Sequence, residues 1–172
     1  AALRDTGVKV LDLELACIVR DRDARSYESA MAAAAELGAR HVISSAWTKE
    51  RDDGAFIVDR YAEICDLAAQ YGLTVDLEFP TFSRLGSLAE AVDVIRAAGR
   101  PNCGVLVDSL YFHFSRLTPP ALAALPRSWF HFLHVADTRR AVPDTVEGMK
   151  AIAREDRLYL GEGCIDFAAL LS

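Results

Sequence analysis

The amino-acid sequence predicts an α/β fold, a (β/α)8 barrel that lacks its first and last strands in this chain. Two observations lead to this prediction: a recurring helix–glycine–strand unit, and polar residues at the ends of nearly all predicted strands. The unit has an alanine-rich helix end, a glycine and an apolar strand, and its glycines are Gly7, Gly38, Gly72 and Gly99. Their spacings of 31, 34 and 27 residues match the size of one βα unit. Strands that alternate with helices indicate a parallel sheet.

The elements follow from this repeat in chain order. The glycines fall where a helix commonly ends in a left-handed residue, so the segment before Gly7 is predicted to be the tail of a helix. Strands are predicted near residues 8–15, 40–45, 73–79, 103–108, 130–136 and 157–161. Helices are predicted near residues 26–37, 55–71, 86–98, 118–125 and 144–154, with a last one from about residue 166.

A doubly wound open sheet is the alternative architecture. Neither a GxGxxG motif nor a P-loop follows any predicted strand, although such phosphate-binding turns are typical of open sheets. The polar strand ends instead resemble the catalytic face of a barrel. We therefore interpret residues 1–172 as one partial barrel domain, an excerpt of a longer chain.

Composition restricts the classes of partner. The 172 residues carry a net charge of −6, which argues against a nucleic-acid or anionic-membrane surface. The longest apolar runs are far too short to span a membrane. The four cysteines are scattered without a CxxC pair, which favours small buried hydrophobic side chains over a disulfide or zinc framework. A cytoplasmic protein with a small-molecule ligand is expected, and a homo-oligomer is compatible with it.

Four strand ends carry the residues that predict chemistry. Side chains alternate along a strand, so Glu78, Asp108, His134 and Glu162 each extend an apolar row towards the barrel mouth. Singly, a carboxylate there is more often a helix cap, and a histidine more often a core residue. Together, three carboxylates and an imidazole would repel and lose hydration unless a dication bound them. Mn²⁺ or Mg²⁺ suits this oxygen-rich set best, and Co²⁺ and Zn²⁺ are compatible with it.

The segments LEF, VLVDSLYFH, HVADTRR and GEGCIDF resemble the xylose-isomerase-like TIM-barrel superfamily of sugar-phosphate isomerases and epimerases, from about residue 8 to the end. The resemblance implies that Glu78, Asp108, His134 and Glu162 bind the metal. It also implies that Arg140, in the HxxDxxR pattern, contacts substrate oxygens. The chain departs from the pattern at Tyr111, where the superfamily usually has a histidine, and His113 lies two residues further on.

These residues predict a metal-dependent enzyme that transfers a proton at a carbon next to a carbonyl, on a carbohydrate or polyol-like substrate. Glu78 and Glu162 are the expected acid–base pair, and Tyr111, His113 and Arg140 are expected substrate contacts. Two further residues near the mouth are candidate substrate contacts. The alternative role of Glu14 is to support a metal ligand from outside, and that of Trp47 is to anchor a loop. Three other polar residues are expected to be supporting ones, namely His41 and His131 as structural residues and Asp137 as a group that orients His134 or Arg140.

Two other functions remain open from the sequence, and a third is disfavoured. A metal-dependent dehydratase of the same fold, similar to 3-dehydroshikimate dehydratase, would use the same ion. A barrel that has lost turnover would be a binding module, which the departure at Tyr111 suggests. A relative of the AP endonucleases would need more histidines than the four present.

Overall fold

A computed structural model describes residues 2–49, 53–139 and 141–171. Its sheet has five strands in the order β1-β2-β3-β4-β5, each parallel to the next. Each strand therefore lies beside the strand that precedes it in the chain. A doubly wound sheet reverses direction at a switch point, and none occurs among the described strands. The progression confirms a barrel-type α/β fold.

The elements have the following bounds. The strands are β1 (Asp12–Ile18), β2 (His41–Ala46), β3 (Thr74–Glu78), β4 (Cys103–Asp108) and β5 (Leu133–His134). The helices are α1 (Ala2–Thr6), α2 (Glu28–Glu36), α3 (Gly54–Ala69), α4 (Leu88–Ala98), α5 (Ser109–Phe114), α6 (Pro119–Ala123), α7 (Val146–Glu155) and α8 (Phe167–Leu170). Short 3-10 helices cover Ala24–Tyr27 and Arg127–Trp129.

The repeat glycines have the backbone conformation that the sequence predicts. Gly7, Gly38, Gly72 and Gly99 all have positive φ. Gly99 caps α4 with φ 61°, and its N–H donates to the carbonyl of Ile95. At the other end of α4, the Ser87 side chain accepts from the N–H of Glu90. These local signals fix where one βα unit ends and the next begins.

The core lies between the sheet and the helices that follow its strands. It is built largely from fully buried residues of β2, β3, β4, α3 and α4. Tyr61 of α3 is 0% exposed, and its hydroxyl donates to the carbonyl of Val75 in β3 at 2.8 Å. This bond satisfies a polar atom that burial would otherwise leave without a partner, and it ties α3 to the sheet.

The last two predicted strands differ from the structure. Residues 157–161 form no strand, and Leu158 makes only an isolated antiparallel bridge with Asp137. The N–H groups of Gly161 and Gly163 instead donate to the Asp137 carboxylate, so they are not available to a ladder. The strand predicted near 130–136 is reduced to β5.

The first predicted strand, 8–15, lies further along the chain as β1. Ala16 and Ile18 are buried, and they pair with Ser44 and Ala46 of β2. Because burial and pairing continue to Ile18, Glu14 lies inside β1, and the prediction that it ends the strand is wrong. The sequence analysis also missed α5, which begins directly after Asp108.

In the portion of the chain that the structure describes, no helix combines the length and apolar character needed to cross a bilayer. The four cysteines are free thiols. Cys65 and Cys103 are buried with their sulfurs 3.7 Å apart, Cys17 is half-buried and Cys164 is exposed.

This arrangement predicts the order in which the thiols react. Cys164 is expected to react first with a small aromatic disulfide reagent in the native protein, giving one fast equivalent per chain. Cys17 follows more slowly, because burial raises the pKa of its thiol and lowers the thiolate fraction. Stopped-flow absorbance measures both phases. Cys164→Ser should remove the fast phase, and the matched Cys17→Ser should leave it unchanged. Equal reaction rates for all four thiols would contradict the differences in their burial.

Candidate metal centre

The carboxyl ends of β3, β4 and β5 bring three potential metal ligands together. Glu78 is the last residue of β3, Asp108 of β4 and His134 of β5. The register places Asp108 beside His134 and Glu78 beside Leu106. One ligand atom from each of Glu78, Asp108 and His134 lies within 4.8 Å of the other two. This spacing allows the three side chains to share one ion.

The charges at this centre fit a cation. Burial raises the pKa of Glu78 to about 8, the negative charges of Asp108 and Glu14 act in the same direction, and Arg157 opposes them. Neighbouring buried carboxylates therefore repel one another when both are ionised. A divalent cation among them would remove this repulsion, and two carboxylates with one imidazole suit a hard or borderline ion. The donor set present thus fits a divalent metal.

Asp108 is held from two sides. Its Oδ1 accepts from the N–H of Leu110 at 2.8 Å and caps α5. Its Oδ2 accepts from Nη1 of Arg157 at 2.7 Å. The helix-cap role that a strand-end carboxylate commonly has is therefore present, and it fixes the orientation of this carboxylate towards the centre.

Arg157 is a site residue that the sequence analysis missed. It also donates from Nη2 to the Tyr111 hydroxyl at 3.3 Å, and from Nε to the Ala153 carbonyl at 2.7 Å. In the sequence, Arg157 is visible only as a single arginine at the start of the apolar segment RLYL. It is 49 residues from Asp108, and the sequence alone does not indicate that the two side chains meet.

Tyr111 and Trp47 flank one aromatic side chain. Tyr111 is buried in α5, and its ring meets that of Phe82 edge-on with centroids 5.5 Å apart. The Trp47 ring lies 6.1 Å from Phe82, and its indole N–H donates to Ser45 Oγ at 2.7 Å. Both residues thus adjoin Phe82 near the centre. Burial raises the pKa of the Tyr111 hydroxyl, which keeps it a neutral donor.

Two of the other predicted contacts, Glu14 and His113, lie within the described residues. Glu14 is exposed on β1, and its charge acts on Glu78 through space. His113 is half-buried in α5, with Nε2 4.0 Å from the sulfur of Cys164. Arg140 lies outside the described residues.

Glu162 lies on an exposed loop that Asp137 holds. The Glu162 carboxylate accepts from the N–H of Tyr159 at 3.3 Å. The buried Asp137 carboxylate accepts four backbone N–H groups, those of Thr138, Gly161, Gly163 and Ile165. The described contacts of Asp137 therefore anchor the loop that carries Glu162, whereas the sequence analysis expected Asp137 to orient His134 or Arg140.

His131, which the sequence analysis expected to be a structural residue, contacts β3. Its Nδ1 lies 2.6 Å from Oδ1 of Asp76, a residue in the middle of β3. His131 precedes the regular part of β5, so strand alternation does not govern its direction.

Comparison with known proteins agrees with this architecture. The family model described as xylose isomerase-like TIM barrel matches residues 1–172. An inosose isomerase of Bacillus velezensis is 27% identical over 183 residues, which cover 98% of this chain and 63% of that protein. A 3-dehydroshikimate dehydratase of Pseudomonas aeruginosa is 29% identical over 121 residues, 69% of this chain and 18% of that protein.

A solved structure of the IolI protein with a bound zinc atom superposes with a TM-score of 0.75 at 23% identity, covering 95% of this chain and 62% of that one. The chain thus spans less than two thirds of the inosose isomerase that it matches. The family match extends over the whole chain and agrees with the strand order and the polar strand ends. The chain belongs to the xylose isomerase-like TIM-barrel family.

Proposed function

We propose that this chain forms the metal-binding part of an isomerase or epimerase that transfers a proton at a carbon next to a carbonyl. The observation that carries the proposal is the convergence of Glu78, Asp108 and His134 within 4.8 Å at the ends of neighbouring strands. The similarity to inosose isomerase supports a polyhydroxylated ring or sugar as the substrate class.

Glu78, Asp108 and His134 would hold a divalent cation, and Glu162 is proposed as the fourth ligand. The Glu162 carboxylate is exposed, and its contact with the Tyr159 N–H is long enough to exchange readily. When bound, a divalent cation supplies positive charge that stabilises negative charge developing on a substrate oxygen. Mn²⁺ or Mg²⁺ is proposed for the oxygen-rich set, with Co²⁺ and Zn²⁺ as competitors.

The chain's own residues would handle the proton. Glu78 and Glu162 come from different segments, so they can approach a substrate carbon from different sides. One carboxylate removes the proton from the carbon next to the carbonyl, and the other returns a proton to that carbon or to its neighbour. Asp108, fixed by Leu110 and Arg157, keeps its orientation during the cycle.

The remaining predicted residues are proposed to bind substrate. Tyr111 and Trp47 would form an aromatic wall with Phe82. His113, Glu14 and Arg140 are proposed contacts for hydroxyl groups at the edge of the site.

A dehydratase is the second candidate, because Arg157 places a guanidinium beside the centre. Its Nη1 and Nη2 reach Asp108 and Tyr111, and a surface cleft beside them is lined by His134, Arg157 and Tyr159. A guanidinium at this position favours a substrate that bears a carboxylate. The similarity to 3-dehydroshikimate dehydratase agrees with that substrate class.

The test is turnover of inosose, ketoses and 3-dehydroshikimate after chelation and reloading with each metal. Deuterium incorporation from D2O at the carbon next to the carbonyl identifies an isomerase or epimerase, whereas loss of water with a new conjugated double bond identifies a dehydratase. Glu78→Gln and Glu162→Gln should each lower turnover by about 10²–10⁴-fold, the usual contribution of a positioned acid or base.

Glu147→Gln, an exposed change at the start of α7, is the matched control and should keep full activity. Full turnover of either active-site variant with metal still bound would remove the acid–base assignment. Full turnover of the chelated protein would remove the metal from the proposal.

A further inference from the structure

A second group of ligand-type side chains lies closer to the amino ends of the strands. It consists of His41, the first residue of β2, Asp76 in the middle of β3, and His131 just before β5. One ligand atom from each lies within 4.8 Å of the other two. His131 Nδ1 is 2.6 Å from Asp76 Oδ1, and His41 Nδ1 is 3.7 Å from Asp76 Oδ2. We call these three residues the lower cluster.

The surrounding residues make room for this cluster and hold it in place. The side chain of Asp76 is 1% exposed, so its carboxylate is costly to bury without partners. Thr74 donates to Asp76 Oδ2 at 2.9 Å, and its hydroxyl also lies 2.7 Å from His41 Nδ1. Gly104 faces the pair, where a Cβ would lie 2.6 Å from His131 Nδ1. The cluster therefore exists only because β4 has no side chain at this position.

One aromatic ring separates the lower cluster from the metal centre. The Phe132 ring stacks on that of His41 with centroids 4.9 Å apart, and it meets His134 edge-on at 5.5 Å. Asp76 and Glu78 are two residues apart on β3, or about 7 Å along a strand. The two groups are thus distinct sites, and neither shares a ligand with the other.

We propose that His41, Asp76 and His131 form a second metal site that takes Zn²⁺ or a similar borderline dication. Two imidazoles and one carboxylate, with a fourth position left to water, form a donor set that zinc commonly has. On binding, the cation replaces the proton between His131 and Asp76, and that proton leaves to solvent. The side chains of His41 and His131 are 12% and 22% exposed, which gives the ion a path inwards.

The outer contacts suit this role. Thr74 holds the Asp76 carboxylate as a hydrogen-bonding partner outside the ligand shell, and such partners orient metal ligands. The rings of His41 and His131 stack with their centroids 5.6 Å apart and 21° between planes, so both imidazoles lie next to Asp76. The proposal does not depend on the reaction at the mouth of the barrel.

The test is zinc stoichiometry in variants that separate the two sites, measured by calorimetry on the chelated protein. The wild-type protein should bind two Zn²⁺ per chain. Glu78→Gln with His134→Gln should bind one, and adding His41→Gln with His131→Gln should abolish the remaining binding. A double variant at the mouth that binds no zinc, or a zinc ion that still binds when all four side chains are replaced, would overturn the proposal.

Thr74→Val tests the outer contact alone, since it removes the hydroxyl that bonds to Asp76 and leaves all three ligands. Its zinc affinity at the lower cluster should fall by about 10–100-fold, as for other outer partners of metal ligands. A second measurement avoids variants that fold poorly. Anomalous diffraction at the zinc edge from soaked wild-type crystals should show an ion bonded to His41, Asp76 and His131, and an ion at the mouth alone would refute the lower site.

Discussion

Asp137→Ala is expected to lower the free energy of unfolding by about 3 kcal/mol, because hydrogen bonds to a charged group contribute roughly 1.5–3 kcal/mol each. The carboxylate of Asp137 is 0% exposed and accepts two backbone N–H groups at each oxygen. The four contributions do not add fully, since the loop residues are mostly exposed and water can replace the carboxylate. For a chain of this size, the melting temperature should fall by about 6–12 °C.

Asn is not a conservative replacement at this position. The amide of Asp137→Asn would place an NH2 group against two backbone donors, for example those of Gly161 and Gly163 on Oδ2. It should therefore destabilise nearly as much as alanine. Asp144→Ala, an exposed change just before α7, should stay within about 0.5 kcal/mol of wild type. Equal melting temperatures for Asp137→Ala and Asp144→Ala would show that the loop is not held in this way.

The stabilisation by Asp137 depends on pH in a direction that the structure defines. Burial alone would raise the pKa of Asp137, but the N–H groups of Ile165, Thr138, Gly163 and Gly161 outweigh it and hold the pKa below its usual value. Such a group stabilises the fold fully above its unfolded pKa of about 3.9. The contribution is lost as pH falls through the lower folded pKa. The difference in the free energy of unfolding between wild type and Asp137→Ala should therefore become smaller only at acidic pH.

Gly104→Ala is expected to lower the free energy of unfolding by about 3 kcal/mol, because overpacking and a buried polar group left without its partner each cost roughly 1–3 kcal/mol. The new methyl group would overlap the Asp76 carboxylate and lie 2.6 and 2.8 Å from His131 Nδ1 and Cε1. Either His131 moves away and leaves Asp76 buried without it, or β4 shifts and loses contacts with β3. Chemical denaturation with a two-state fit measures the loss.

Gly54→Ala is the matched control for Gly104→Ala. Gly54 begins α3, and a Cβ there would meet nothing within 4 Å. Alanine reduces the freedom of the unfolded chain at such a site, so this variant should be neutral or stabilised by up to about 1 kcal/mol. A Gly104→Ala variant as stable as Gly54→Ala would mean that the lower cluster has room to rearrange. His41, Asp76 and His131 would then not be held in a fixed arrangement.

The sequence predicted the parts of this structure that depend on local patterns. The four left-handed glycines, the helices that precede them and the apolar strands β2, β3 and β4 lie close to their predicted positions. Strand alternation also placed Glu78 and Asp108 on a shared end of the sheet, because that argument needs only parity and parallel pairing.

The features that the sequence did not predict depend on contacts between distant segments. The bond from Arg157 to Asp108 spans 49 residues, and that from His131 to Asp76 spans 55. The segment after residue 156 has a strand-like sequence pattern. Several of its backbone N–H groups, however, donate to the side chain of Asp137. Neither propensity nor alternation accounts for these bonds, and the last predicted strand is wrong. The role of Glu162 as a metal ligand remains a prediction.

β3 carries one carboxylate of each group, Asp76 for the lower cluster and Glu78 for the metal centre. Both depend on the same parity along five residues, so a slip of β3 by one position would turn both carboxylates towards the helices at once. Insertions and deletions should therefore be tolerated in the loops around β3 and excluded from the strand itself. Changes in the loops would leave both carboxylates in place, whereas β3 can evolve only by substitution.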